Sequence, residues 1–148
     1  MEFTFSKVTE KDKNDILRLG ESVNESCVVP FLNEEGKKAM RQARSPDILE
    51  ATNVEIYEAI KAVVDGELIG YIAWRQGNYI AQLYVSTEYQ GCGVGSRLVN
   101  EMKARSGAVL IQLKASINAI GFYKKLGFVA TSKEQNKNGI RFVPMERI

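Results

Sequence analysis

The chain has no histidine among its 148 residues. That absence removes imidazole general bases, Ser-His-Asp and Cys-His nucleophile pairs and the HExxH zinc site together. Cysteine is scarce as well: Cys27 and Cys92 stand far apart, so neither a zinc cluster nor a disulfide framework is readable, and no metal is expected. No apolar run approaches the roughly 18 residues of a membrane span. The start, Met1-Glu2-Phe3-Thr4, lacks the basic and apolar regions of a secretion signal, so the expected location is cytoplasmic. Charge of one sign is missing too. Lys and Arg number 20 against 18 Asp and Glu, a net charge of +2, and no basic block interleaves with aromatics, which argues against nucleic acid or membrane as a partner. There is no repeat, low-complexity run or linker. With 45% hydrophobic residues the chain reads as one domain over 1–148, able to bury an ordinary core.

What is present has the period of a mixed sheet with helices. Phe3, Phe5 and Val8 suggest a short first strand, and Lys11 to Leu19 a helix with Ile16, Leu17 and Leu19 inward. Ser22 to Asn33 reads as a loop or broken helix, apolar enough to be partly buried, and Glu34 to Arg44 as a second helix ending near Ser45-Pro46. Tyr57 to Val64 and Leu68 to Arg75 are strands joined by Asp65-Gly66, a hairpin signature. Gly77-Asn78 turns the chain into a strand at Tyr79 to Val85. Beyond the helix at Val94 to Arg105 come a strand at Ala108 to Leu113, a helix at Asn118 to Leu126, and strands around Phe128 to Ser132 and Ile140 to Glu146. Asn136-Lys137-Asn138-Gly139 marks the last turn.

Between the strand ending at Val85 and the helix opening at Val94 lies Gln90-Gly91-Cys92-Gly93-Val94-Gly95. The first amides of a helix have no carbonyl partners within it, and the helix dipole adds partial positive charge there. Glycines let main-chain N–H groups approach an anion without Cβ atoms in the way. A Walker loop would end in Gly-Lys-Ser/Thr, but Ser96 and Arg97 follow Gly95, so no lysine is placed for a γ-phosphate. A dinucleotide fold would put its glycines after the first strand of a parallel unit; here they come late, behind an antiparallel meander. Alone, the hexapeptide fits either a phosphate cradle or a plain tight turn. Cys92, at a helix N-terminus, could also be read as a nucleophile, though no basic partner is visible nearby.

Two stretches together narrow the choice. Gln82-Leu83-Tyr84-Val85 through Tyr89-Gln90-Gly91-Cys92-Gly93-Val94-Gly95-Ser96-Arg97-Leu98-Val99 resembles the acetyl-CoA signature of the GNAT superfamily of N-acetyltransferases, Q/R-x-x-G-x-G/A. Downstream, Asn118-Ala119-Ile120-Gly121-Phe122-Tyr123-Lys124-Lys125-Leu126-Gly127-Phe128 resembles that superfamily's helix, with its asparagine, FY pair and closing GF. The motifs cover the C-terminal half; the N-terminal half matches only in its order of elements.

The resemblance implies an α/β (α+β) fold with a mixed, mostly antiparallel central sheet of about seven strands, splayed between the fourth and fifth, and helices on both faces. It also implies acetyl-CoA as co-substrate. The backbone of Leu83, Tyr84 and Val85 would bond the pantetheine arm as an added strand, Gln90 would open the phosphate turn, Gly91 would bind the cofactor within it, and amides of Cys92, Gly93, Val94, Gly95 and Ser96 would hold the pyrophosphate. Asn118 would contact the cofactor, although an asparagine there could equally be the helix N-cap. The reaction implied is direct attack by a primary amine on the thioester in a ternary complex, driven largely by orientation, with a backbone N–H near Tyr84 or Val85 polarising the carbonyl. Tyr123, matching the family's tyrosine, would protonate the departing thiolate, while Phe122 reads as packing. The base stays open: Asn78 to Val85 holds no carboxylate, and Glu58 on the preceding strand is one possibility. So does the acceptor, a small-molecule amine or a peptide or protein amine shaped by Ser22 to Asn33 and the Arg75 to Tyr79 hairpin, and so does assembly, monomer or homodimer. The alternative from another class is a non-catalytic acyl-CoA-binding module.

Overall fold

The computed structural model describes residues 2–148. In chain order the elements are β1 (Thr4–Lys7), α1 (Lys13–Val23), α2 (Glu34–Glu50), β2 (Tyr57–Val64), β3 (Glu67–Arg75), β4 (Tyr79–Val85), α3 (Val94–Ser106), β5 (Ile111–Ser116), α4 (Ile120–Lys125), β6 (Val129–Ala130), β7 (Gln135–Lys137) and β8 (Ile140–Arg147). The eight strands form one sheet in the order β1-β2-β3-β4-β5-β8-β6, with β7 also beside β8. Every pairing is antiparallel except β4 with β5, which run parallel. The eighth strand comes from Gln135–Lys137. It folds onto β8 through Asn138-Gly139, whose φ values of 55° and 86° are both left-handed, as a two-residue hairpin turn of the I′ kind demands. Asp65-Gly66 joins β2 to β3 in the same way, with φ 50° and 78°.

Residues Ile69 to Trp74 of β3 are all buried, so both faces of the sheet are covered at its centre. On one face Ile72 and Trp74 join Ile60, Ala62 and Val64 against Val94, Leu98, Val99 and Met102 of α3 and Tyr123 of α4. On the other, Tyr71 packs with Val8, Ile16 of α1 and Ile48 of α2. Helix pairs thus lie on opposite faces, as an alternating strand pattern requires.

Two elements, α2 and β5, depart from the sequence reading, and a third segment follows it. Helix α2 does not stop at Ser45-Pro46 but runs on to Glu50 with Pro46 inside it. The proline forfeits one backbone bond, but Ile48, fully buried, anchors the last turn beneath Gly20, and Ser45 Oγ donates to Glu21 Oε2 at 2.9 Å. Strand β5 starts at Ile111 rather than Ala108. Gly107 closes α3 in a left-handed conformation (φ 68°), Val109 is exposed, and the buried alternation begins only with Ile111, Leu113 and Ala115. The broken-helix alternative for Ser22 to Asn33 holds: α1 passes into a π-type turn, Asn24–Val28, and a 3-10 turn, Val29–Phe31.

The functional consequence lies between β4 and β5. Only Tyr79↔Gln112 and Ile80↔Leu113 pair, although β4 continues to Val85 and β5 to Ser116. Past Ile80 the sheet opens.

Candidate active site

The opening leads into a cavity of about 610 Å³. One wall is made by β4, the glycine turn, β5 and α4; the other by the end of α1, α2 and the start of β8.

The edge of β4 is only partly satisfied. Ser86 N donates to Ile69 O at 2.7 Å, which fixes the phase of the β3–β4 ladder. Alternation then turns the N–H and C=O of Tyr84 towards β3 and those of Leu83 and Val85 towards the gap. An ideal Cβ on Gly70 of β3 would lie 3.2 Å from Tyr84 O, in keeping with that phase. The carbonyl of Val85 accepts from Gln90 Nε2 at 3.0 Å, and the same nitrogen reaches Cys27 Sγ at 3.6 Å. Gln90 therefore ties the glycine turn to the strand before it and to the π-type turn across the cavity.

The three glycines of the turn have different physical reasons. Gly91 and Gly93 stand at φ 81° and 83°, where a side chain would be strained although open space surrounds each. Gly95 is helical, but a Cβ there would lie 3.0 Å from Phe122 Cζ, so its bareness lets α4 seat against α3. Gly93 is the N-cap of α3 and supplies no capping side chain, and no acidic residue lies in the first turn. The first intrahelical bond is Arg97 N to Gly93 O, 3.1 Å, so the amides of Val94, Gly95 and Ser96 have no carbonyl inside the helix. Gln90, Gly91, Gly93, Val94, Gly95 and Ser96 all border the cavity. Cys92 does not, and it is exposed.

Asn118 borders the cavity from a 3-10 turn, Ile117–Ala119. It caps no helix: α4 follows Ala119, whose side chain cannot cap, and the turn itself is entered through Ser116. Tyr123 is 7% exposed, wedged edge-on between Phe122 and Phe128 with ring centroids 5.1 and 5.4 Å away. It too borders the cavity, and burial pushes its hydroxyl well above the ordinary tyrosine range, with Tyr84 adding to the shift. The hydroxyl is thus held protonated in a largely buried setting. Glu58 is elsewhere. It accepts from Trp74 Nε1 at 2.9 Å beside a separate small cavity lined by Lys7, Tyr57 and Ala59, which removes it as a base for the main site.

The opposite wall carries Asn24 and Cys27, from the Ser22 to Asn33 segment expected to shape the acceptor site, together with Met40, Arg44, Asp47 and Phe142, to which nothing in the sequence pointed. Burial raises the Tyr84 hydroxyl above the ordinary tyrosine range, and the side chain of Asn24, itself 2% exposed, only partly opposes that rise. Tyr71 OH donates to Gln82 Oε1 at 3.0 Å, fixing that cavity-lining amide from beneath. The apolar patch Val28-Val29-Pro30-Phe31-Leu32 was the available hint of a wall here.

A model of the GNAT acetyltransferase domain matches residues 28–148. The chain belongs to the GNAT acetyltransferase family. Among curated relatives, the acetyltransferase is 30% identical over 106 residues to a blasticidin-S acetyltransferase of Streptomyces morookaense, a match spanning 66% of this chain and 77% of that one. Among solved structures it superposes on a GCN5-related N-acetyltransferase from Rhodopseudomonas palustris with a TM-score of 0.86 at 22% identity, covering 99% of this chain and 96% of that one. It also superposes on the PaiA N-acetyltransferase of Thermoplasma acidophilum, solved with coenzyme A, with a TM-score of 0.72 at 21% identity and 99% coverage of both. These likenesses make the protein an acyltransferase rather than a non-catalytic module. The mixed, mostly antiparallel sheet parted between its fourth and fifth strands is the fold the motifs implied.

Proposed function

We propose that the acetyltransferase moves an acetyl group from acetyl-CoA to a primary amine by direct attack within a ternary complex. One observation carries this: the free edge of β4, the unpartnered amides opening α3 and the Tyr123 side chain all border a single cavity. Coenzyme A fits its three parts. The pyrophosphate would rest on the amides of Val94, Gly95 and Ser96 and on the backbone of Gly91, Cys92 and Gly93, where the dipole of α3 favours an anion. The pantetheine arm would lie along β4, bonding Leu83 and Val85 as a neighbouring strand would, with Asn118 and the Tyr84 side chain alongside. Gln90 must then share or release Val85 O.

The thioester carbonyl would fall by the N–H of Val85, which develops its full value as the oxyanion forms. Attack needs only a neutral amine held in line, and such orientation is worth up to about 7–11 kcal/mol of barrier. As the C–S bond breaks, Tyr123 gives its proton to the leaving sulfur; the acylated nitrogen loses a proton to solvent, and solvent restores the Tyr123 hydroxyl. Because burial raises its pKa, Tyr123 stays protonated throughout the neutral range and contributes no alkaline loss of activity there.

Calorimetric titration with acetyl-CoA is the first test, and an absence of binding would overturn the reading. Release of CoA thiol across a panel of amines is the second. Turnover must depend on the amine, and Tyr123→Phe must lower kcat while leaving acetyl-CoA affinity near the wild-type value.

A further inference from the structure

On the acetyl-CoA reading above, the wall facing the glycine turn receives the amine, and its charges are unevenly engaged. Arg41, Arg44 and Asp47 are spaced by three along α2, so they neighbour one another on one helical face. An arginine three residues before an aspartate is placed to pair with it. Arg44 does otherwise. Its Nη1 reaches Glu25 Oε1 at 2.7 Å, and Arg41 Nη2 reaches Glu25 Oε2 at 2.8 Å, so a single carboxylate takes both guanidinium groups. Asp47 is left without an ion pair among the described residues.

Asp47 is also the only carboxylate among the described residues that line the cavity. The other charged groups there are occupied: Arg141 is held by Glu134 at 2.8 and 3.0 Å, and Lys114 Nζ lies over the Phe142 ring at 5.3 Å. Asp47 remains exposed, which puts it at the rim. Partial burial raises its carboxyl above the usual range, Glu50 pushes the same way, and Lys137 only partly opposes them. Its charge is felt by the Tyr84 hydroxyl, and that of Tyr84 by Tyr123. Asp47, Tyr84 and Tyr123 line one cavity together with the apolar side chains of Met40 and Phe142.

We propose that Asp47 receives a second cationic group of the acceptor, an ammonium or guanidinium, set apart by an apolar spacer from the amine that is acetylated. It does not serve the attacking amine itself, because a carboxylate against that nitrogen would favour the charged, non-nucleophilic form. Arg41 and Arg44 act as positioning residues, since by engaging Glu25 they leave Asp47 free.

Agmatine and pentylamine make a matched pair of probes, one with a guanidinium tail and one with an apolar tail. The wild type should favour agmatine in kcat/KM by about tenfold or more, the scale of one charged hydrogen bond. Asp47→Asn should collapse that preference to near one, and Asp47→Glu should retain part of it. A purely structural role for Asp47 would lower both amines together and keep the preference. The assignment is overturned by a wild type indifferent to the tail or by a preference that survives in Asp47→Asn. Calorimetry with acetyl-CoA on the same samples separates the two readings: no binding by the wild type sinks both, whereas normal binding with no agmatine preference sinks only the assignment of Asp47.

Discussion

Of the two walls of the cavity, the one formed by β4, the glycine turn and α4 offers mainly backbone, and the one formed by α1, α2 and β8 offers side chains. Backbone groups are placed by strand phase and by glycines at φ 81° and 83°, so they ask for glycine and for little else. Side chains are placed by packing: Asn24 by a π-type turn, Asp47 by a helix that carries a proline through its last turns. A recurring cofactor suits the first kind of wall, and a particular acceptor suits the second. On the proposed reading, one cavity would meet the donor by geometry and the acceptor by chemistry.

Substitutions can break that division. The largest effect is expected at Tyr123, the proposed proton donor on the backbone wall. Tyr123→Phe should cut kcat by about 100-fold, the low end for loss of a proton donor, with acetyl-CoA affinity intact. Gly36→Ala comes next. A Cβ at Gly36 would run into the backbone of Gly139, where α2 meets the β7–β8 turn, so the variant should lose about 1–3 kcal/mol of stability in urea unfolding. It should also raise KM for the amine more than KM for acetyl-CoA. Gly93→Val tests the opposite wall. Forcing a branched side chain to φ 83° costs about 1–2 kcal/mol, and calorimetry should show weakened acetyl-CoA binding while discrimination among amines is kept. If Gly36→Ala and Gly93→Val disturb both substrates alike, the walls are not separable.

The smallest effect is expected at Glu25, and it depends on pH. Arg41 and Arg44 together hold the Glu25 carboxyl down at about 2, so its folded pKa lies below its unfolded one. Its stabilisation is therefore complete above the ordinary carboxylate range and is lost as pH falls through about 2. Glu25→Gln should melt below the wild type at neutral pH, with the two Tm values converging as the solution is acidified to that point.

The same division explains what could be read in advance. Strands β2 and β4 run over the residues their alternation indicated, and the three glycines of the turn, Asn118 and Tyr123 all border the cavity, because backbone-made sites leave glycines and fixed spacings in the chain. Asp47 was hidden by a local rule. Ser45-Pro46 normally ends a helix, and only the long-range burial of Ile48 carries α2 past it. Asn24 lay within the Ser22 to Asn33 segment expected to shape the acceptor site, but the π-type turn that carries it has a wider winding with no compositional mark, so the residue itself was not singled out. The late start of β5 followed from Gly107, a helix terminator that sits one residue before the apolar run.

Two residue pairs are all that stitch β4 to β5, besides Gln112 N to Asn78 O at 2.9 Å. A hydrogen-bonded ladder fixes register, since sliding it breaks every rung at once. At this seam the load passes instead to interlocked side chains, among them Ile80 and Leu113 in the shared core. The N-terminal and C-terminal portions of the sheet are thus joined more like two sheets in a sandwich than like neighbouring strands. Beyond those few bonds, shear along the seam meets resistance from shape.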